Sequence, residues 1–122
     1  MNPQPVSDPY AILAQETRRG VLPLAVLCML RSQKYGYALI SDLAERGLDI
    51  DQGTLYPMVR RLETQGLLES SWILEGARPR RYYKISPAGE KVLEALAADW
   101  QSLNQIMQTL LGEKPGQNGE EK

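Results

Sequence analysis

The chain has 122 residues, a net charge of −1, one cysteine and no histidine. That length holds one domain with a modest core, and so balanced a charge excludes a uniformly basic coat, leaving any anion-binding surface to local clustering. With Cys28 alone and no histidine, an intramolecular disulfide, a Cys/His zinc site and a Ser-His or Cys-His nucleophile pair are all excluded. No catalytic constellation, metal site or cofactor loop remains, and an enzyme is the weakest reading. Richness in Leu and Ala without any Phe favours a mostly helical fold. The longest apolar run, residues 21–30, is too short to cross a bilayer. The N-terminus lacks the basic and apolar regions of a signal peptide. A cytoplasmic location away from membranes is expected, and a lone thiol suits it.

Residues 1–7 carry Pro3 and Pro5 and are expected to be loose. Asp8–Pro9 reads as an N-cap followed by proline at the first helical position. Residues 10–19 then predict a short helix with Ile12 and Leu13 on one side. Gly20 and Pro23 predict a kink or break, leaving open one bent helix or two. The N-terminal piece is either a frayed arm or, through Tyr10 and Leu13, an arm that packs on a partner subunit. Residues 21–30 are apolar nearly all round and predict a buried helix, in which Cys28 is a small core side chain. After a polar connection at 31–34, residues 35–45 form the next helix, with Leu39, Ile40 and Leu43 inward and Gly47 as its stop. Residues 48–50 leave room for at most a three-residue strand.

Residues 51–66, DQGTLYPMVRRLETQG, carry the most information. Leu55, Met58, Val59 and Leu62 recur at helical spacing and make one apolar stripe. Opposite them fall Gly53, Pro57 and Arg60, flanked by Tyr56 and Arg61. Asp51 is placed to accept hydrogen bonds from the first free N–H groups, and Gly66 to take the left-handed turn that ends the helix. Pro57 is comfortable only if the helix starts near Thr54 or bends. Buried helix, short helix, tight link and amphipathic helix is the order of a helix-turn-helix. On that frame Gln52, Gly53, Thr54, Tyr56, Pro57, Arg60 and Arg61 form a candidate DNA-reading face, with Arg60 able to reach a phosphate or a guanine edge. Tyr35, Gly36 and Tyr37 stand at the helix end that crosses the phosphate backbone, although capping and packing would account for them equally.

Residues 67–73 and 80–85 read as two strands of an antiparallel hairpin, joined by a turn at 74–79 that holds Gly76 and Pro79. Arg78, Arg80, Arg81 and Lys84 put four cations within seven residues, interleaved with Tyr82 and Tyr83. Such a wing tracks the DNA backbone or enters the minor groove; the plainer alternative is a hairpin whose charges guard an edge strand. Alternation turns one of the two tyrosines inward. Ser86–Pro87 then starts a helix running to about Leu111. Leu93, Leu96, Trp100, Leu103, Met107 and Leu110 alternate spacings of three and four, a heptad seam. Roughly 25 helical residues extend about 37 Å, too far to bury on this small core, so the excess should pack on another chain. Trp100 either fills that interface or, with Leu96 and Leu103, walls a slot for a flat aromatic molecule.

The expected class is therefore mainly α with a small two- to three-stranded β wing. Its divisions are an N-terminal arm (1–19), a winged helix-turn-helix (20–85), a dimerisation helix (86–111) and a disordered tail (112–122). GTLYPMVRRLETQGLLESSW followed by RPRRYYKISPAGEKVL resembles the signature of the PadR family of transcriptional regulators over about residues 20–111. The resemblance implies a winged-helix homodimer that represses from a promoter operator. The chain ends soon after the seam helix, as in the family's short form, some of whose members stack planar drugs on a central Trp at the position of Trp100. It also implies DNA contacts at Tyr37, Thr54, Tyr56, Arg60, Arg80 and Arg81. The expected partners are palindromic double-stranded DNA, a second copy of the chain and a planar aromatic ligand. A protein-interaction module, or a regulator without an effector, is the alternative.

Overall fold

A computed structural model describes residues 8–113. The expectations for residues 1–7 and for most of the tail fall outside that span. Its elements are α1 (Pro9–Met29), β1 (Lys34–Tyr35), α2 (Gly36–Glu45), α3 (Gln52–Thr64), β2 (Leu68–Glu75), β3 (Arg78–Ile85) and α4 (Pro87–Gly112). The class is the expected one: mainly helical, with a small antiparallel sheet, here of three strands in the order β1-β3-β2.

Asp8 caps α1 by accepting from the Tyr10 N–H at 3.0 Å, with Pro9 as the first helical residue. The question of one helix or two resolves as one: α1 passes through Gly20 and Pro23 without interruption. Pro23 lacks the donor that would serve the Arg19 carbonyl, but Arg19 is exposed, so water can take that bond. The expected boundary at 19/20 thus lies inside a helix. Its second half supplies Leu22, Val26 and Leu27 to the core, with Leu30 just beyond.

Helices α2 and α3 end alike. Gly47 and Gly66 adopt φ of +99° and +81°, a region glycine enters without steric cost. Each glycine N–H and its successor's then bond back into the last turn, as in Gly47 to Ala44 and Leu48 to Leu43, and Gly66 to Glu63 and Leu67 to Leu62. Residues 48–50 form no strand. The third strand is β1 instead, pairing Lys34 with Tyr83 and Tyr35 with Tyr82. Tyr35, read from sequence as helical, is extended and serves as the N-cap of α2. Two residues carry no periodicity, so only the free edge of β3 reveals them.

Strands β2 and β3 pair from Leu68↔Ile85 out to Glu75↔Arg78. The ladder therefore extends further than expected, leaving only Gly76, at φ +61°, and Ala77 as the turn. Pro79 pairs with Leu74 within it. Beyond Tyr82 β1 no longer flanks β3, and a strand with a free edge tolerates proline.

Ser86 starts α4: its hydroxyl accepts from Gly89 N–H at 3.0 Å and donates to the Gly66 carbonyl at 2.6 Å. A Cβ on Gly89 would stand 2.1 Å from the Leu67 carbonyl oxygen, so this glycine lets α4 press onto the α3–β2 link. Ile85 N–H to Leu30 and Ser86 N–H to Leu67 complete a joint between α1, α3, the wing and α4. At 1.5 Å per residue α4 extends about 39 Å, yet its buried residues are only Gly89 and Leu93. Leu93 belongs to the chain's own core, so it leaves the expected dimer seam. Beyond half-buried Leu96, Trp100 is 44% exposed, Leu103 55%, Met107 47% and Leu110 54%. Ile106 and Leu111, also exposed, widen the stripe. Tyr10 and Leu13 on α1 are exposed too.

Candidate nucleic-acid interface

Burial of Leu55, Met58, Val59 and Leu62 fixes the rotation of α3. It leaves Gln52, Gly53, Pro57, Arg60 and Arg61 exposed, with Thr54 and Tyr56 half-buried. Two local expectations change. The Asp51 side chain makes no backbone cap; its Oδ1 accepts instead from the Thr54 hydroxyl at 2.9 Å. And α3 starts at Gln52, so Pro57 lies within it. The carbonyl it deprives is that of exposed Gly53, where solvent can substitute.

Helix α2 comes close to α3 at Gly36. A Cβ on Gly36 would lie 3.0 Å from Tyr56 Cε1 and 3.2 Å from its hydroxyl, so the absent side chain is what seats the ring. Partial burial, and then the neighbouring Tyr83, raise the Tyr56 hydroxyl above its usual 10.0. It stays a neutral donor. Tyr37, 62% exposed, stands free beside it on α2.

The wing has two chemically different faces, set by the pairing register. Tyr35, Arg80 and Tyr82 share one. Tyr35 and Tyr82 meet edge to face at 5.5 Å, and the Arg80 guanidinium lies 4.3 Å over the Tyr35 ring. Glu75 accepts from the Tyr82 hydroxyl and pairs with Arg80 Nε at 3.6 Å. On the other face are Ser70, Trp72, Arg81 and Tyr83, and here Tyr83 turns inward against the core, as alternation requires. Arg81 reaches Glu63 of α3 at 3.1 Å. Two of the four wing cations therefore hold acidic partners. Among the described residues no ion pair forms at Arg60, Arg61, Arg78 or Lys84, all of them exposed. Residue types and spacing revealed the cations; Glu63 and Ser70, which hold one of them, went unnoticed because they lie on other elements.

Leu96, Trp100 and Leu103 line a groove of about 460 Å³ between α1 and α4. The sequence reading missed its other wall: Gly20, Val21, Pro23 and Leu24, with Glu16 and Asp99 at hand. The Gly20–Pro23 pair that looked like a helix break forms a low wall of the groove. Among the described residues no helix is long and apolar enough to cross a membrane.

A helix-turn-helix with an exposed second helix, followed by a cationic hairpin, defines a winged-helix DNA-binding regulator. Residues 26–95 match the transcriptional regulator PadR-like family. A transcriptional regulator of Mycobacterium tuberculosis is 36% identical over 99 residues, 80% of this chain and 90% of the relative. A solved PadR family transcriptional regulator from Eggerthella lenta shares 43% identity at a TM-score of 0.81, covering 86% of this chain and 94% of that one. A PadR-like transcription factor from Bacteroides fragilis shares 32% at 0.68, covering 80% and 97%. The chain belongs to the PadR family of transcriptional regulators.

Proposed function

We propose that this regulator acts in the cytoplasm as a homodimeric repressor on a palindromic operator, and that a planar aromatic ligand bound near Trp100 releases it. The observation that carries the reading is the far half of α4, whose apolar stripe from Trp100 to Leu111 is left about half exposed or more by the described residues. Large exposed apolar stripes on a small domain mark an association surface. A second copy of the same helix supplies a matching seam, and Tyr10 and Leu13 of α1 add to it. Two-fold pairing sets two α3 faces to meet successive major grooves about 34 Å apart. There Arg60 and Arg61 face the duplex with Gln52, Gly53, Thr54, Tyr56 and Pro57; Tyr35, Gly36 and Tyr37 approach one strand's phosphates, and Arg78, Arg80, Tyr82 and Lys84 the flanking groove.

The α1–α4 groove supports the ligand. It joins apolar Leu96 and Leu103 and the Trp100 ring to Glu16 and Asp99, a combination that favours a flat cation. Sedimentation equilibrium and anisotropy titrations on duplexes selected from a random pool test the reading together. A dimer whose DNA affinity falls steeply with salt is expected; a monomer at micromolar concentration would overturn it. For the ligand, a planar cationic dye should quench Trp100 in a Trp72→Phe background and lower DNA affinity. Equal quenching in Trp100→Ala with Trp72 retained would remove the groove from the proposal.

A further inference from the structure

Resting on the DNA-binding reading, we propose that Arg81 is a positioning residue: clamped by Glu63 and Ser70, it locks the wing to the last turn of α3 and so sets the spacing between the two elements that meet DNA. The family resemblance places a DNA contact at Arg81; its geometry points inward instead. Arg81 Nη2 donates to both Glu63 oxygens, at 3.1 and 3.2 Å, and Nε donates to Ser70 Oγ at 3.1 Å. The Ser70 hydroxyl closes the triangle by donating to Glu63 Oε2. Trp72 and Tyr83 wall the guanidinium at 5.8 and 5.6 Å. A planar fork held this way is far more oriented than a lysine ammonium would be. Its side chain is 40% exposed and that of Glu63 25%, so solvent screens the pair only in part.

The place of the clamp explains its effect. The hairpin leaves its root at Leu68↔Ile85 and reaches its tip at Glu75↔Arg78, about 23 Å away at 3.3 Å per residue. Trp72↔Arg81 sits about halfway. With the root as pivot, a small displacement there is about doubled at the tip, where Arg78 waits without an acidic partner among the described residues. Glu63 would otherwise be an unhelpful charge, since a carboxylate beside a DNA-binding face repels phosphate. Neutralised by Arg81, it becomes the anchor.

This reverses the sign expected for removing an acid. Anisotropy with a duplex selected from a random pool by the wild-type chain should show Glu63→Gln and Arg81→Lys each binding about tenfold more weakly. The slope of log K against log salt should stay unchanged in both, whereas Arg78→Ala should lose about 0.9, one phosphate contact. Exchanging the partners, Glu63→Arg with Arg81→Glu, should recover most of the affinity. Amide exchange of the free chain gives the arm that needs no DNA: wing amides should exchange faster in Glu63→Gln while those of α2 and α3 do not. Tighter or unchanged binding by Glu63→Gln would overturn the proposal. So would a salt slope lowered by one contact in Arg81→Ala, unchanged wing exchange, or exchange that rises equally throughout the core. A wild-type chain that retains no duplex would remove the DNA-binding reading itself, leaving amide exchange to decide the role of Arg81.

Discussion

Helices α3 and α4 carry the same kind of pattern, apolar residues recurring three and four apart, yet they meet different fates. In α3 the stripe Leu55, Met58, Val59 and Leu62 is buried within the chain. In α4 the stripe is buried at Leu93, half-buried at Leu96 and then runs outward, exposed, to Leu111. Periodicity therefore says that a helix has an apolar face, not what covers it. What separates the two is length against core size: α3 spans 13 residues and α4 26, and the described residues cover little more than the first.

The sharpest way to break that contrast is to truncate one residue on each stripe. Leu55 is fully buried, so Leu55→Ala should cost about 2–5 kcal/mol of unfolding free energy in urea, transfer and cavity terms together. A loss under about 1 kcal/mol would mean that the α3 stripe is not the core it resembles.

The joint between the two regions comes next. Any side chain on Gly89 collides with backbone, the Leu67 carbonyl, which cannot swing aside as a side-chain tip can. Gly89→Ala should cost about 1–3 kcal/mol, the usual range for overpacking. It should also weaken the Ser86 cap, whose donor is the Gly89 N–H. An unperturbed melting temperature would show that α4 sits on the α3–β2 link more loosely than a 2.1 Å Cβ approach to the Leu67 carbonyl allows.

On the open stripe the expectation inverts. Leu110 is 54% exposed in the single chain, so Leu110→Ala should leave the stability of the monomer within about 0.5 kcal/mol. If two α4 helices pair, the same change should raise the dimer dissociation constant about tenfold, equivalent to about 1.4 kcal/mol. Sedimentation at several concentrations reads this directly, and no change in association would move the interface off this half of α4.

What the sequence disclosed follows the same division. Local patterns were legible: the α3 stripe, the stops at Gly47 and Gly66, Ser86–Pro87 as a helix start, and the inward turn of one of Tyr82 and Tyr83. Each is written in a few neighbouring residues. Features set by distant partners were not. Two residues, Lys34 and Tyr35, became a strand because β3 offered a free edge. Pro23 is tolerated within the helix because Arg19, whose carbonyl it leaves unserved, is an exposed residue. Glu63 and Arg81 lie 18 residues apart on different elements, and no period or motif joins them. No local pattern singles out Gly89, whose role is the closeness it allows to Leu67.

The smallest expected effect lies at the outermost contact of the closed region. The Tyr82 hydroxyl donates to Glu75, and that bond, ahead of partial desolvation and the Glu75 charge, raises its pKa above 10.0. The folded state thus holds the phenolic proton more tightly than the unfolded state does. A pKa raised on folding contributes stability that is whole below the unfolded value of about 10 and is lost as pH climbs through the folded one. Wild-type stability should therefore fall more steeply above pH about 10 than that of Tyr82→Phe, while below it the two curves run parallel. Because Tyr82 is open to solvent the difference should be slight, smaller than any of the preceding effects. Parallel curves above pH about 10 would show that the wing's outer face is not closed by Glu75 in solution. Arg80, which shares that carboxylate, would then be freer to meet a phosphate than Arg81, whose partner is anchored in α3.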